Sequence, residues 1–212
     1  MQVNCILTGV GGQGTVLAAQ LIAGAAMRRG IPVRTAETIG MAQRGGHVVS
    51  HVRLGGAHSP LVPRASADLL IGFEPAEAVR CYPYLKQGGA VVVASGEVKP
   101  VSASLGGLDY TAADMIAFLT GHAGSVYVVD GAAVCKEAGS PKALNVALLG
   151  AACETGLLGL SLQDIQSAFE ERLRPALHEM NRRALFAGAR AVRRLGRRPA
   201  ASAALMAVRA VR

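Results

Sequence analysis

The sequence predicts an α/β fold with a three-layer, Rossmann-like architecture, in which a mostly parallel sheet carries helices on both faces. Short apolar, β-branched runs alternate with segments of helical periodicity along the first 130 residues. The chain has 212 residues and is 51% hydrophobic, enough for one sizeable buried core. A glycine-rich loop separates the first apolar run from the first helical segment, as in the α/β folds that bind nucleotides.

The first half of the chain predicts strands, one long helix and an inserted segment. The segment 38–68 breaks the alternation, because it contains a loop, a strand and a Pro/Gly-rich return but no helix. Such an insertion in a doubly wound sheet usually serves a function or a partner. We expect strands at 2–9, 31–37, 47–54 and 68–73, loops at 9–14 and 38–46, and a helix at 15–29 that Gly30 ends.

The second half predicts two more strands and then only helices. Glu74-Pro75 is interpreted as the entry to a helix and not as acid–base chemistry. Ser140 before Pro141, and Ser161 three residues before Asp164, are typical of helix N-termini. We expect strands at 89–95 and 125–130 and helices at 111–120, 141–155, 161–173 and 175–195, so that one domain covers 1–195 and a basic tail, disordered or helical, covers 196–212.

The positive charge of the chain belongs to its C-terminal part. Residues 171–212 hold 11 of the 22 Lys and Arg residues but only two of the 14 acidic ones, so the net charge of +8 does not predict nucleic-acid binding. The chain shows neither a run of about 18 apolar residues nor the features of a signal peptide. Its cysteines predict reduced thiols in a cytoplasmic protein and no metal site, since Cys5, Cys81, Cys135 and Cys153 are scattered.

The first candidate site is the loop Gly9-Val10-Gly11-Gly12-Gln13-Gly14, which ends at Thr15. Glycines allow a tight turn, and the amides that begin the next helix can bind a phosphate or carboxylate. Glu37 follows Gly14 by 23 residues, at the end of the second strand, where an acid could hold a ribose hydroxyl. The loop alone leaves two interpretations open, a dinucleotide site or glycines that only let a strand and a helix pack closely.

The second candidate site is the loop from Gly40 to Gly46, with Arg44 among small residues. A guanidinium placed there can contact a carboxylate or phosphate at two points, although an ordinary surface loop is the alternative. Both loops follow strands that we expect to be parallel, so they should meet at one edge of the sheet and form an anion-binding corner. The residues expected in that corner are Gly9, Gly11, Gly12, Gln13, Gly14, Thr15 and Arg44.

Two further polar features are interpreted as structural. His47 and His51 have a spacing that suits a metal on a helix, but on a strand they lie about 13 Å apart, too far for one ion. Asn145, inside an apolar helical run, is expected to pack and not to bind a ligand, although it could face a partner. No Ser-His-Asp or Cys-His arrangement can be nominated from spacing.

The two loops together resemble a known family. GVGGQGT at 9–15 and TAETIGMAQRGGHVVSHVRLG at 35–55 are similar to the γ subunit or domain of the 2-oxoacid:ferredoxin oxidoreductases, most of all to the β subunit of the indolepyruvate type. The resemblance covers about residues 1–190. It implies oxidative decarboxylation of a 2-oxoacid such as indolepyruvate with coenzyme A, giving an acyl-CoA and passing electrons to ferredoxin.

The resemblance also implies which components belong to the partner. This chain lacks a cluster-type cysteine run and a Gly-Asp-Gly pattern followed by paired Asn, so thiamine diphosphate and the iron–sulfur clusters are expected on a large α subunit. We expect an αβ complex, paired as α2β2, with the loop region 38–58 at the interface. A free-standing NAD- or FAD-dependent oxidoreductase and a regulatory nucleotide-binding module are the alternatives. The interface residues expected are Met41, Gln43, Gly45, Gly46 and His47.

Overall fold

A computed structural model describes residues 2–37, 40–98 and 110–195. A six-stranded sheet forms the centre of the molecule, in the order β2-β3-β1-β4-β5-β6. β3 is antiparallel to both β1 and β2, whereas β1, β4, β5 and β6 pair in parallel. The strands are β1 (Val3–Val10), β2 (Val33–Glu37), β3 (His47–Leu54), β4 (Ala67–Gly72), β5 (Leu85–Ala94) and β6 (Ser125–Val129).

Seven α-helices lie in the described residues, and most begin at a capping side chain. Glu74, Thr111 and Asp130 each accept a hydrogen bond from the backbone amide three residues on, which satisfies one free amide of the first turn. The helices are α1 (Thr15–Arg28), α2 (Pro75–Cys81), α3 (Ala112–His122), α4 (Gly131–Ala138), α5 (Leu144–Glu154), α6 (Leu162–Arg172) and α7 (His178–Leu195).

The sheet buries a different apolar cluster on each face. The larger one joins α1, α4, α5, α6 and α7 to side chains such as Leu7, Val52 and Ile71. The smaller one joins α2 and α3 to residues such as Ile6 and Leu70. Successive residues of a strand point to opposite faces, so the buried strands carry apolar side chains on both sides. The three-layer, mostly parallel α/β prediction is confirmed.

The predicted elements agree with the structure apart from one helix and some boundaries. The strand at 47–54 and the capping box of Ser161 and Asp164 are confirmed. The helix α4 was missed, because its eight residues are too few to show a clear apolar period. β5 begins at Leu85, four residues before the expected start, and lies next to the edge strand β6.

Some predicted segments lie outside the part of the chain that the structure describes. The predicted tail 196–212, and Thr38 and Ile39 of the predicted loop, lie outside the described residues. In the part of the chain that the structure describes, no helix has the length and apolarity needed to cross a bilayer.

Candidate functional site

The two predicted loops meet at the carboxyl edge of the sheet. β1 leads through α1 to β2 on one side, and β4 leads through α2 to β5 on the other, so the chain turns opposite ways from two adjacent strands. In open α/β sheets this switch point creates the crevice in which ligands bind. Since β1 and β2 are both antiparallel to β3, they are parallel to each other, as the sequence predicts.

Gln13 fixes the shape of the glycine loop. Its Oε1 accepts a hydrogen bond from the Val10 amide at 2.7 Å, and its Nε2 donates to the Phe73 carbonyl at 3.2 Å. The side chain thereby ties the end of β1 to the end of β4. Both ends of the Gln13 amide are used within the chain, so its contribution to the corner is to position the loop.

The glycine loop and the loop 40–46 are bonded backbone to backbone. The Gly11 amide donates to the Gly46 carbonyl at 2.8 Å, and the Gly45 amide donates to the Gly11 carbonyl at 3.2 Å. A Cβ on Gly11 would lie 2.4 Å from the Ala42 carbonyl oxygen, so only glycine permits this approach. On the other side of the loop, a Cβ on Gly14 would lie 2.8 Å from Nδ2 of the buried Asn145, which packs there as predicted.

A cavity of about 350 Å³ opens between the start of α1 and the start of β3. Gly14 caps α1 in the left-handed conformation, and no side chain in the described residues caps the helix. The amides of Thr15, Val16 and Leu17 are the first three of the helix and precede its hydrogen-bond ladder. Such amides suit an anion. The wall of the cavity is formed by Gly11, Gly12, Gly14, Thr15, Val16, Leu17, Gln20, Gln43 and Val48.

The structure places the other predicted site residues around this cavity in different ways. Arg44 is exposed and lies next to Gly45, but the cavity wall contains Gln43 and not Arg44. Met41, on the same loop, is 77% exposed. Gly9 is buried, and a Cβ there would lie 2.8 Å from Cβ of Phe73, so its glycine serves packing.

Glu37 lies away from the glycine loop. β3 separates β2 from β1, so the end of β2 is two strand spacings, roughly 10 Å, from the end of β1. Burial raises the pKa of the Glu37 carboxyl, and the positive charge of Arg172 on α6 partly offsets that effect. In the usual dinucleotide fold the acidic residue follows the strand next to β1. The order observed here does not give Glu37 that position.

Sequence reasoning missed a polar cluster on the α2 side of the same edge. His47 Nδ1 is hydrogen-bonded to Oε2 of Glu77, which is buried, and His47 Nε2 lies 4.0 Å from Sγ of Cys81. The Cys81 thiol donates to Oγ1 of Thr8 at 3.3 Å. These residues come from three elements, so no spacing in the sequence links them. The expectation that His47 and His51 belong to a strand face is confirmed.

The same cluster contains a second buried carboxylate. Glu74 caps α2, accepts from the Glu77 amide at 2.8 Å and accepts from the Tyr110 hydroxyl at 2.9 Å. Burial raises the pKa of the Glu74 carboxyl. Its role as a helix entry is therefore confirmed. Within the described residues no group of three or more His, Cys, Asp or Glu side chains is placed to hold a metal ion.

Comparisons with known proteins agree on one family. The model of the pyruvate ferredoxin/flavodoxin oxidoreductase family matches residues 4–191. The indolepyruvate oxidoreductase subunit IorB of Archaeoglobus fulgidus is 36% identical over 189 residues, which cover 89% of this chain and 94% of that protein. The same subunit of Thermococcus kodakarensis is 35% identical over 195 residues, 91% of this chain and 96% of that protein.

Solved structures share the fold at lower sequence identity. The γ subunit of a keto/oxoacid ferredoxin oxidoreductase from Geobacter sulfurreducens is 20% identical, with a TM-score of 0.66, over 91% of this chain and 99% of that one. The 2-oxoglutarate:ferredoxin oxidoreductase from Magnetococcus marinus, solved with 2-oxoglutarate, coenzyme A and succinyl-CoA, is 20% identical, with a TM-score of 0.69. The match covers 93% of this chain but 32% of that one. At this identity these likenesses establish the fold alone.

Proposed function

The chain belongs to the pyruvate ferredoxin/flavodoxin oxidoreductase family as an oxidoreductase subunit, and from that membership we propose that it is the small subunit of an indolepyruvate-type enzyme. With a large partner it would take part in the oxidative decarboxylation of an arylpyruvate with coenzyme A, giving an aryl-acetyl-CoA and carbon dioxide and passing two electrons to ferredoxin. The observation that carries the proposal is the 36% identity to an indolepyruvate oxidoreductase subunit along nearly the whole of both chains.

In this proposal the partner subunit carries thiamine diphosphate and the iron–sulfur clusters. The four cysteines of the present chain lie at separate places in the fold, and Cys5, Cys81 and Cys153 are buried. Clusters need several cysteine thiolates around one site. The relative from Magnetococcus marinus supports a partner as well, because the matched region is about a third of a longer chain. The exposed Met41 beside the glycine loop is the centre of the surface we assign to the partner.

The contribution of this chain would be a site for the phosphates of coenzyme A. The cavity beside the glycine loop offers three helix-terminal amides, and Arg44 stands on the adjoining loop. The relative from Magnetococcus marinus was solved with coenzyme A bound, which supports this class of ligand. The alternative of a free-standing NAD or FAD enzyme has no support from the position of Glu37, two strands away from the loop.

The decisive experiment substitutes Arg44 in the complex co-expressed with the large subunit. Arg44→Lys keeps the charge but loses the two-point geometry, and Arg44→Ala loses both. We expect normal assembly and activity in the order wild type, Lys, Ala. A charge-assisted contact of roughly 1.5–3 kcal/mol corresponds to about a 10- to 150-fold loss for Ala. Arg64→Ala is the matched control, since Arg64 is also exposed but precedes β4, at the opposite edge of the sheet.

The outcomes of this experiment separate three possibilities. A rise in the KM for coenzyme A, or a fall in turnover, in the Arg44 variants alone supports the ligand site. Unchanged kinetics in the assembled Arg44→Ala enzyme would make the loop structural and the assignment wrong. A variant that folds but no longer co-purifies with the large subunit would place Arg44 in the subunit interface instead.

A second prediction concerns the chain by itself. The purified subunit should be colourless, bind no thiamine diphosphate and turn over no 2-oxoacid, whereas the co-expressed complex should elute as αβ or α2β2. Absorption spectra after reconstitution with iron and sulfide, and size-exclusion chromatography with light scattering, provide the measurements. An iron–sulfur absorption band in the isolated chain, or a chain that ignores the large subunit, would contradict the proposal.

A further inference from the structure

The cluster of His47, Glu77 and Cys81 joins the predicted ligand corner to α2. His47 is the first residue of β3 and follows Gly46, whose carbonyl is bonded to the glycine loop. Its ring points to the α2 face, while the next residue, Val48, points to the other face and lines the cavity. His47 therefore lies in one stretch of backbone between the loop that carries Arg44 and Val48, which lines the cavity.

The hydrogen bonds of the cluster favour a ring that donates from both nitrogens. Glu77 Oε2 accepts at Nδ1. At Nε2 the neighbour is Cys81 Sγ, whose single thiol hydrogen goes to Thr8 Oγ1, so the sulfur is left to accept. Donation from both nitrogens requires the imidazolium form. In agreement with this geometry, the hydrogen bonds with Cys81 and then Glu77 raise the pKa of His47 to about 9.

Glu77 depends on that imidazolium. Its side chain is 1% exposed, and its Oε1 has no hydrogen-bond partner among the described residues. Among the described residues, Arg80 is the other cation that reaches it, with Nε 3.3 Å from Oε2 but with a side chain that is 62% exposed. A buried carboxylate is costly without a close positive partner, and an exposed guanidinium gives little compensation. The pairing with His47 is therefore strongly favoured.

We propose that His47, through its pair with the buried Glu77, is a positioning residue that holds the loop carrying Arg44 against the glycine loop. The proposal rests on the proposed function, because its effect is on the binding of coenzyme A at that corner. His47 touches no ligand in this scheme. In the part of the chain that the structure describes, the charged and titratable groups that face its ring are Glu77 and Cys81, both on α2, with Arg80 and Glu74 bonded to Glu77 behind them.

The test compares three variants of the complex co-expressed with the large subunit. His47→Asn retains a donor near the position of Nδ1 but no charge. Glu77→Gln retains an acceptor but no charge. His51→Asn is the matched control, since His51 lies on the same strand and face and accepts from the Val62 amide, which an Asn Oδ1 can still do. Coenzyme A binding is measured by calorimetry from pH 7 to pH 10 at constant ionic strength.

We expect His47→Asn to weaken coenzyme A binding roughly tenfold at pH 7, within the range that small positional errors cause, while His51→Asn changes it little. The ratio of the wild-type affinity to the His47→Asn affinity should fall as the pH rises through about 9. Because both proteins bind the same ligand, the titration of coenzyme A itself cancels in this ratio. In Glu77→Gln the fall should occur at a lower pH. The pKa of the His47 ring, followed by ¹⁵N NMR of the isolated chain, should likewise be lower in Glu77→Gln than in the wild type.

The outcomes distinguish this inference from the proposed function. If Arg44→Ala weakens coenzyme A binding but His47→Asn does not, His47 is not a positioning residue and the ligand site stands. If His47→Asn lowers the melting temperature but its effect on affinity is independent of pH, the pair is only structural and the inference is overturned. If neither Arg44→Ala nor His47→Asn changes binding, the ligand site itself is wrong and the inference is overturned with it.

Discussion

Two contacts in this molecule depend on glycine for the same steric reason and have different consequences. Where α5 crosses α7, a Cβ on Gly150 would lie 1.9 Å from the Leu185 carbonyl oxygen, and one on Gly188 would lie 1.8 Å from that of Ala147. Where the glycine loop meets the loop 40–46, a Cβ on Gly11 would lie 2.4 Å from the Ala42 carbonyl oxygen. In both places the backbones approach more closely than any side chain would allow.

The surroundings of the two contacts differ. At the helix crossing, neighbours such as Ala147 and Leu185 are fully buried, so the space gained is filled by apolar packing. At the sheet edge the same closeness borders a cavity, an exposed Gly12 and the first amides of α1. Glycine is therefore evidence of close approach, and what lies beside it decides whether that approach serves packing or binding.

The largest effect is expected at the helix crossing. Gly188→Ala should destabilise the chain by about 2–3 kcal/mol, since the new methyl group meets the Ala147 backbone and cannot be relieved by a rotamer change. The better helix propensity of Ala, worth about 1 kcal/mol, offsets only part of this cost. The measurement is the free energy of unfolding of the isolated chain in urea.

Gly121 of α3 provides the matched control for this substitution. It is also helical, but it is exposed and a Cβ there would meet no atom within 4 Å. Gly121→Ala should therefore leave stability unchanged or raise it by up to about 1 kcal/mol. Equal losses in the two variants would mean that the crossing is not limited by backbone contact.

Most of the fold could be predicted from the sequence, but this helix crossing could not. Apolar periodicity located all six strands and most helices, because each buried face repeats along the chain. It could not indicate which glycine faces which helix, since Gly150 and Gly188 are 38 residues apart and their contact depends on how α5 and α7 cross. The helix α4, capped by Asp130, was missed because eight residues give too little periodicity.

The next largest effect is expected at the sheet edge. Two glycine substitutions there distinguish a steric contact between the loops from backbone strain within one loop. Gly11→Ala forces the loop 40–46 away from the glycine loop, so we expect coenzyme A binding by the complex to weaken at least about tenfold and stability to fall by about 1–3 kcal/mol. Gly12 has φ +106 but open space around it. Gly12→Ala should thus show only the strain of its backbone, about 1–2 kcal/mol.

Calorimetry with coenzyme A and thermal melting of the two variants measure this difference. The comparison is sharpened if Gly11→Ala loses binding out of proportion to its loss of stability. It fails if the two variants lose the same affinity, because the contact between the loops would then have no role in the site.

The candidate site was predictable in part for a related reason. The glycine loop and the loop 40–46 follow strands whose carboxyl ends share one edge, so the contact between the two loops follows from topology alone. The partners of His47 do not follow from topology. The register that pairs His47 with Val10 places its ring on the α2 face, above Glu77 and Cys81, and register needs coordinates.

The smallest effect is a pH dependence that should belong to the sheet edge and not to the helix crossing. The folded-state pKa of His47 is raised from its ordinary 6.5 to about 9, so its pair with Glu77 stabilises the fold fully below about pH 6.5, and this contribution is lost as the pH rises through 9. Since the His47 side chain is 37% exposed, we discount the gain to about 1 kcal/mol, or roughly 2–4 °C in melting temperature.

The difference in melting temperature between wild type and His47→Asn should therefore be largest near pH 6 and small at pH 10. The contact of Gly188 with the buried Ala147 contains no titratable group, so the difference between wild type and Gly188→Ala should stay constant over the same range. A His47→Asn difference that is equally constant would mean that the cluster stabilises the edge by packing and not by charge.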